Sequence, residues 1–118
     1  MAILAAVDDF LFRSKIRAVA KHVSADVTFV QTADEILAQA EAIKPALVIF
    51  DLNSQKLDAV QTIAALKQNG ALGGVRAIAF ASHVHVDLIA AARRAGADQV
   101  LARSQFAGNL ADILASAR

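Results

Sequence analysis

The fold is decided by the stretch KPALVIFDL, residues 44–52. Pro45 at its start cannot continue a helix, and an uninterrupted apolar run then leads directly to Asp51. A short apolar run without alternation is typical of a strand covered on both faces, as in a parallel sheet. The stretch therefore predicts a buried strand over residues 46–50 that ends at an acidic side chain.

The same kind of run recurs on both sides of this stretch. Further strands are predicted at residues 2–7, 26–31, 75–81 and 98–102. The segments between and after them carry apolar residues three and four positions apart, which is the spacing of helices that pack on a sheet. Strict alternation of five strands and five helices predicts an α/β fold. It should contain a five-stranded parallel sheet, wound doubly so that right-handed crossovers place helices on both faces.

Several short signals mark the predicted helix ends. Thr32 and Glu35 form a capping box at the start of a second helix that runs to about Ile43. The pair Asn69-Gly70 is a C-cap signal for the third helix, and Gly96 stops the fourth. One continuous amphipathic helix is predicted at the end, lined by Phe106, Leu110, Ile113, Leu114 and Ala117.

Composition limits the kind of protein that this can be. The 118 residues suit one domain spanning 1–118, and a hydrophobic fraction of 57% argues against disorder. With no cysteine, disulfides, thiolate zinc sites and cysteine catalysis are excluded. A net charge of +1 gives no reason to expect direct nucleic-acid binding. We find no apolar run long enough to span a membrane and no basic leader, so a cytoplasmic protein is expected.

Polar residues follow the strands at the edge where a parallel α/β sheet places its sites. Asp8 and Asp9 follow the first strand, Asp51 the third, Ser82 the fourth and Arg103 the fifth. Three carboxylates repel one another unless a cation joins them, and oxygen ligands suit Mg²⁺. Asp51 could then attack a phosphoryl group, because carboxylate nucleophiles form aspartyl-phosphate. Ser82 could donate a hydrogen bond to a phosphoryl oxygen, and Arg103 could neutralise its charge.

Each of these residues also has a purely structural interpretation. Asp9 suits the N-cap of a helix opening at Phe10, Asp51 suits a turn, and Arg103 suits a solvated surface. Their joint placement at the ends of the correct strands favours a site.

Four motifs give the chain a resemblance to a known family. They are VDD at 7–9, KPALVIFDL at 44–52, Ala81-Ser82 and AGAD at 95–98. Over its full length the chain resembles a receiver domain of two-component response regulators. The resemblance implies a flavodoxin-like sheet with strand order 2-1-3-4-5.

The resemblance also implies roles for individual residues. Asp51 would be the phosphoacceptor and Ser82 the switch hydroxyl, with Asp8, Asp9, Asp51 and the backbone carbonyl of Asn53 holding Mg²⁺. The phosphoryl group would come from a sensor histidine kinase or a phosphotransfer protein. The signal would pass to a downstream protein target or to a homodimer, and the chain would not itself be an enzyme.

Departures from the family pattern cluster around the switch. Arg103 replaces the usual lysine, Ser104 the usual proline, Val100 the switch aromatic and His83 a small residue. Arginine is a planar fork whereas lysine is a point charge, so the two are not equivalent. These changes favour an alternative in which the chain is a pseudo-receiver, an interaction module that is not phosphorylated.

Three weaker hypotheses remain from the sequence. A phosphatase acting through aspartyl-phosphate would need a second acid two residues after Asp51, where the chain has Asn53. His83 and His85 could bind a transition metal, although solvated loop histidines are commoner. Phe10 and Leu11 beside the acidic pair mark either a partner surface or a first turn packed on a loop.

Overall fold

The computed structural model describes residues 2–54, 57–70, 72–82 and 85–117. A parallel sheet with strand order β2-β1-β3-β4-β5 forms its centre, as predicted. The strands are β1 Ala2–Ala6, β2 Asp26–Phe29, β3 Leu47–Asp51, β4 Arg76–Ala81 and β5 Gln99–Ala102. The helices are α1 Phe10–His22, α2 Ala33–Ile43, α3 Ala59–Gln68, α4 Val86–Ala95, α5 Arg103–Gly108 and α6 Leu110–Ala115.

The inner strands alternate between two apolar cores on opposite faces of the sheet. In β3, Val48 and Phe50 face one core, whereas Leu47 and Ile49 face the other. The first core is closed by α2, α3 and α4, and the second by α1, α5 and α6. Because both faces are covered, every residue of β3 is buried, which explains its unbroken apolar run.

Two predicted helix ends are confirmed and one has a different geometry. The Thr32 hydroxyl accepts from the Glu35 N–H at 3.1 Å, and Gly96 ends α4 with φ of 112°. The Glu35 carboxylate reaches back to the Gln31 N–H rather than to that of Thr32. Helix α3 ends at Gln68 with Asn69 as its C-cap, where the cap signal was predicted, but Asn69 has φ of −73° and is extended, not left-handed.

The last helix was predicted as one continuous element, and this prediction is wrong. It is divided into α5 and α6 at Asn109, which has φ of −110°. The Asn109 side chain donates to the carbonyl of Gln105 at 2.9 Å, so it competes locally with regular helix geometry. The preceding Gly108 has a low helix propensity, so interrupting the helix at this point costs little free energy. The predicted apolar residues are nevertheless all buried.

Opposite the carboxyl ends of the strands, an ion pair joins α3 to the start of β5. Lys67 Nζ lies 2.7 Å from Asp98 Oδ2, and the same carboxylate oxygen accepts from the Ala77 N–H at 2.7 Å. These contacts hold the pKa of Asp98 below its usual value, although partial burial of the carboxyl works in the opposite direction. The ion pair therefore has a structural role: it links α3 to β4 and β5 at the end of the sheet that lies away from Asp51.

The sheet has short edge strands of four residues each, β2 and β5. On β2, the ring of Phe29 is covered by two guanidinium groups from α1. Those of Arg13 and Arg17 lie 4.9 and 4.8 Å from the ring centroid. Cations over an aromatic face are attracted by its quadrupole, so α1 shields the apolar side chain of this edge.

Candidate functional site

Asp51 occupies the end of the central strand, where backbone contacts fix its carboxylate. Its Oδ1 accepts from the Asn53 N–H at 2.9 Å, and its carbonyl accepts from the Ser54 N–H at 3.1 Å. The next residue, Leu52, donates its N–H to the Phe80 carbonyl at 2.9 Å and so anchors the turn to β4. Only 4% of Asp51 is exposed. The chain thus holds one carboxylate, nearly buried, at the edge of the sheet.

The electrostatic surroundings of Asp51 oppose its ionisation. Burial is the main cause that raises the pKa of Asp51, and the negative charges of Asp8 and Asp9 act in the same direction. The Asn53 N–H and the Arg103 guanidinium partly offset this by lowering the pKa. A group that brings positive charge to this carboxylate is therefore favoured.

The two acids after β1 have different partners. Asp9 caps α1 through Oδ1, which accepts from the Phe12 N–H at 2.9 Å, and its Oδ2 lies 3.2 Å from an Arg103 nitrogen. The Asp8 carboxylate accepts a hydrogen bond from the Ser54 hydroxyl. Asp9 therefore has the structural role of an N-cap and also contributes charge to the site.

Arg103 is the first residue of α5 and reaches across the end of the sheet. Its guanidinium lies 3.2 Å from Asp9 Oδ2 but 4.0 Å from Asp51 Oδ2. The same group lies over the ring of Phe12, with 4.9 Å to the centroid, and over that of Phe80 at 5.9 Å. The predicted cation therefore reaches the site, but it is paired more closely with Asp9 than with Asp51.

An aromatic cluster lies beneath this guanidinium. Phe80 and Phe106 are stacked with centroids 4.4 Å apart, and Phe12 lies 4.9 Å from Phe80. All three rings are buried, and they come from β4, α5 and α1. The rigid core thus extends to the site and provides the surface on which Arg103 rests.

Ser82 and Asn53 are brought together at the ends of β4 and β3. The Asn53 side-chain oxygen accepts from the Ser82 N–H at 3.1 Å. The structure thereby gives Asn53 two contacts that its sequence position did not predict, one through its side chain and one through its N–H to Asp51. We call Asp8, Asp9 and Asp51 the acidic site. The hydrogen bond between Ser82 and the Asn53 side chain joins the two loops that flank this site.

The oxygen donors of the acidic site match the chemistry of a hard divalent cation. Mg²⁺ is commonly held by one or two carboxylates and several waters, and Asp8 and Asp51 lie close enough for their charges to interact. Within the described ranges, no three His, Cys, Asp or Glu residues form a group ready to hold a metal ion. Asp9 is paired with a cation of the protein itself, the Arg103 guanidinium.

The remaining predicted positions lie around this site or outside the described residues. His83 belongs to the part of the chain that the structure does not describe, and His85 is exposed just before α4. Val100 is partly buried in β5, so its side chain contributes to the first core.

An open groove of about 680 Å³ runs beside the site between α1 and α5. It is lined by Asp9, Leu11, Phe12, Lys15, Ser82, Ala102, Arg103, Ser104 and Ala107. Leu11 is 80% exposed at its rim, and Phe10 next to it is 73% exposed. Phe10 and Leu11 in the first turn of α1 are thus not packed on a loop and face outward, whereas Phe12 in the same turn is buried.

Sequence reasoning missed Ser54, Phe80 and the side chain of Asn53. Ser54 follows Asp51 by three positions, the spacing of a tight turn, and this was the available signal. Phe80 lies in β4 two residues before Ser82, and the alternation of side chains along a strand was the available signal. Nothing in the sequence indicated that Asn53 would turn towards β4.

Solved structures with the same architecture were found by comparison. A signal receiver domain from Bermanella marisrubri is 23% identical, with a TM-score of 0.83, over 98% of this chain and 96% of that one. A response regulator in its Mn²⁺-bound form is 18% identical, with a TM-score of 0.77, over 98% of this chain and 89% of that one. A phosphorylated cyanobacterial phytochrome response regulator is 20% identical, with a TM-score of 0.79, over 98% of this chain and 89% of that one.

The chain has the receiver fold. Sequence identities between 18% and 23% show the fold alone, so the chemistry of the site has to be argued from the residues of this chain. No protein-family model matches the chain, and no curated protein matches it either. Among the described helices of this receiver fold, none is both long enough and apolar enough to cross a membrane.

Proposed function

We propose that the chain is a response-regulator receiver domain that accepts a phosphoryl group on Asp51 with the help of Mg²⁺. The observation that carries this proposal is the buried carboxylate of Asp51 at the end of the central strand. Two further acids and one fixed cation act on that carboxylate. The solved relatives described as phosphorylated and as Mn²⁺-bound support the same chemistry on this fold.

The proposed donor is a phosphohistidine on a sensor histidine kinase or a phosphotransfer protein. An oxygen of Asp51 attacks the phosphorus and forms the new O–P bond. The donor phosphohistidine carries a proton on its other ring nitrogen. When the P–N bond breaks, the electron pair stays on the first nitrogen, and the histidine leaves as a neutral imidazole. The Asn53 N–H, which contacts Oδ1 at 2.9 Å, orients the carboxylate and leaves Oδ2 to attack.

The chain's own residues have distinct tasks in this step. Asp8 and Asp51, with the backbone carbonyl of Asn53, would hold the metal, and Asp9 would join them. Mg²⁺ supplies electrostatic stabilisation of the charge that develops on the phosphoryl oxygens. Arg103 provides a second positive charge, and Ser82 donates its hydroxyl to a phosphoryl oxygen once the group is in place. The aspartyl-phosphate would bring roughly −1.5 to −2 charge to this edge, by analogy with hydroxyl phosphates.

We place the donor protein on the exposed first turn of α1. Phe10 and Leu11 form an apolar patch directly beside the acidic site, and such patches mark partner surfaces. The signal would then reach a downstream target through altered protein–protein contacts, with homodimerisation as one form of that response.

The second candidate is a pseudo-receiver, and one observation favours it. Arg103 pairs with Asp9 at 3.2 Å and lies farther from Asp51, at 4.0 Å. A cation held in this way could maintain one state of the loops without any phosphoryl group. The chain would then act as a constitutive interaction module.

Binding of beryllofluoride, an analogue of the phosphoryl group, separates the two candidates. Amide NMR spectra are recorded with Mg²⁺ and beryllofluoride on wild type, on Asp51→Asn and on the control Asp26→Asn, an exposed acid of β2. We expect shifts at Asp51, Ser82 and Arg103 in wild type and in Asp26→Asn, and none in Asp51→Asn. Unchanged spectra in all three proteins would establish the pseudo-receiver.

A further inference from the structure

The partners of Arg103 suggest a role beyond neutralising a phosphoryl group. Its guanidinium rests on the rings of Phe12 and Phe80, and its terminal nitrogen contacts Asp9 at 3.2 Å. A planar guanidinium can stack on an aromatic face and bond a carboxylate at the same time, which the ammonium of lysine does less well. Ring and carboxylate together therefore hold the side chain in one place.

Asp9 is engaged through both carboxylate oxygens. Oδ1 accepts from the Phe12 N–H at 2.9 Å, and Oδ2 pairs with Arg103. Phe12 takes part in both contacts, because its N–H bonds Asp9 while its ring supports Arg103. A divalent cation that draws on Asp9 must share or displace the Arg103 contact.

We propose that Arg103 is a latch that competes with the divalent cation for Asp9. The latch rests on the proposed function, because it presumes that the acidic site takes such a cation. When the cation engages Asp9, Arg103 is released towards Asp51, whose Oδ2 already lies 4.0 Å from its guanidinium. The arginine thus lowers cation affinity in the resting state and becomes free to act when the site is loaded.

The latch also joins two helices. Asp9 is the N-cap of α1, and Arg103 is the first residue of α5. Both residues line the groove of about 680 Å³ between these helices. Release of the pair therefore changes the groove at the point where it meets the acidic site.

Mn²⁺ binding, followed through the electron paramagnetic resonance signal of free Mn²⁺, tests the latch. We expect Arg103→Gln to bind Mn²⁺ about tenfold more tightly than wild type, equivalent to about 1.4 kcal/mol. The control Arg94→Gln removes the same charge from an exposed position in the last turn of α4 and should leave the affinity unchanged. Phe12→Leu keeps the charge but removes the supporting ring, and should tighten binding by about threefold if the stacked geometry matters.

Each outcome bears on the latch separately from the phosphoacceptor. Equal Mn²⁺ affinity in wild type and Arg103→Gln overturns the latch. The proposed function stands in that case if Asp51→Asn still weakens Mn²⁺ binding. A third outcome is that Arg103→Gln binds Mn²⁺ more tightly while Phe12→Leu, with an amide spectrum that shows a native fold, does not. The change in Mn²⁺ affinity would then come from net charge alone, which also overturns the latch. Absence of Mn²⁺ binding in every protein overturns both the latch and the metal-dependent function.

Discussion

Asp51 and Asp98 are carboxylates with opposite effects on the stability of the same fold. Burial raises the pKa of Asp51, so the folded protein binds its proton more tightly than the unfolded chain does. Ionised Asp51 therefore destabilises the fold. This penalty begins as the pH rises past the ordinary carboxyl pKa of about 4 and is complete only above the raised pKa of the folded protein. The pKa of Asp98 is lowered by the Lys67 and Ala77 contacts, so ionised Asp98 stabilises the fold.

Asp51→Asn should raise the free energy of unfolding at pH 7 by about 1 kcal/mol, because the amide removes a buried charge. The gain should fade towards pH 3, where the wild-type carboxyl is protonated. Urea unfolding at both pH values measures it, with Asp26→Asn as the exposed control. A gain of the same size at pH 3 contradicts the explanation by burial.

Asp98→Asn should have the opposite effect. We expect a loss of about 1 kcal/mol at pH 7, modest because 46% of the side chain is exposed and solvent screens the ion pair. The stabilisation by Asp98 is complete above the ordinary pKa and disappears as the pH falls through the lowered one. Unfolding curves of wild type and variant should therefore converge under strongly acidic conditions, and a constant difference argues against the ion pair as the cause.

The sequence was informative about which residues meet at the site and poor about how they contact one another. Positions at strand ends follow from the alternation of elements, so Asp9, Asp51, Ser82 and Arg103 could all be placed at one edge. Whether Arg103 pairs with Asp9 or with Asp51 depends on the rings of Phe12 and Phe80, which contact its guanidinium from α1 and β4. Such a choice depends on tertiary packing, which local sequence patterns do not encode.

At the scale of elements, two glycines that end helices have different tasks. Gly96 adopts φ of 112°, where a side chain is strained, and an added Cβ would lie 3.0 Å from Lys67 Cγ. Gly108 ends α5 with open space around the position of a Cβ. Only the first glycine is required by the backbone.

Alanine substitution of each glycine should therefore change stability in opposite directions. We expect Gly96→Ala to cost about 1–2 kcal/mol through the left-handed backbone. Gly108→Ala should add about 0.5–1 kcal/mol, because alanine favours the helix and restricts the unfolded chain. Thermal unfolding of both variants gives the comparison, and a loss in Gly108→Ala would mean that the break before α6 is needed for packing.

The elements were largely predictable because strands buried on both faces and amphipathic helices have distinct apolar patterns. The break at Asn109 was missed because the apolar residues keep helical spacing across it, so periodicity alone gives no sign of a change. The extended backbone of Asn69 was missed for a related reason. A Gly-containing C-cap signal locates the end of a helix but does not fix the dihedral angles there.

At the scale of the whole molecule, two cores share one sheet. Ile63 of α3 belongs to the core on one face and Ile16 of α1 to the core on the other, and both are fully buried. Each inner strand contributes side chains to both cores, so neither face can lose its packing without disturbing the strands that support the other. This arrangement favours a single cooperative unfolding unit.

Ile16→Ala and Ile63→Ala should each lower the free energy of unfolding by about 2–5 kcal/mol through lost burial and a residual cavity. Amide NMR signals from the two faces should disappear at the same urea concentration in both variants. Separate midpoints for the two faces would show instead that the cores unfold independently.

The guanidinium cover on Phe29 has a consequence for the behaviour of the protein at high concentration. An edge strand exposes unpaired backbone groups, onto which a strand of another molecule can add. Strand β2 is only four residues long, and Arg13 and Arg17 place positive charge over its aromatic ring. A second molecule approaching this edge would meet like charge instead of an apolar surface, so the two arginines act as gatekeepers against aggregation.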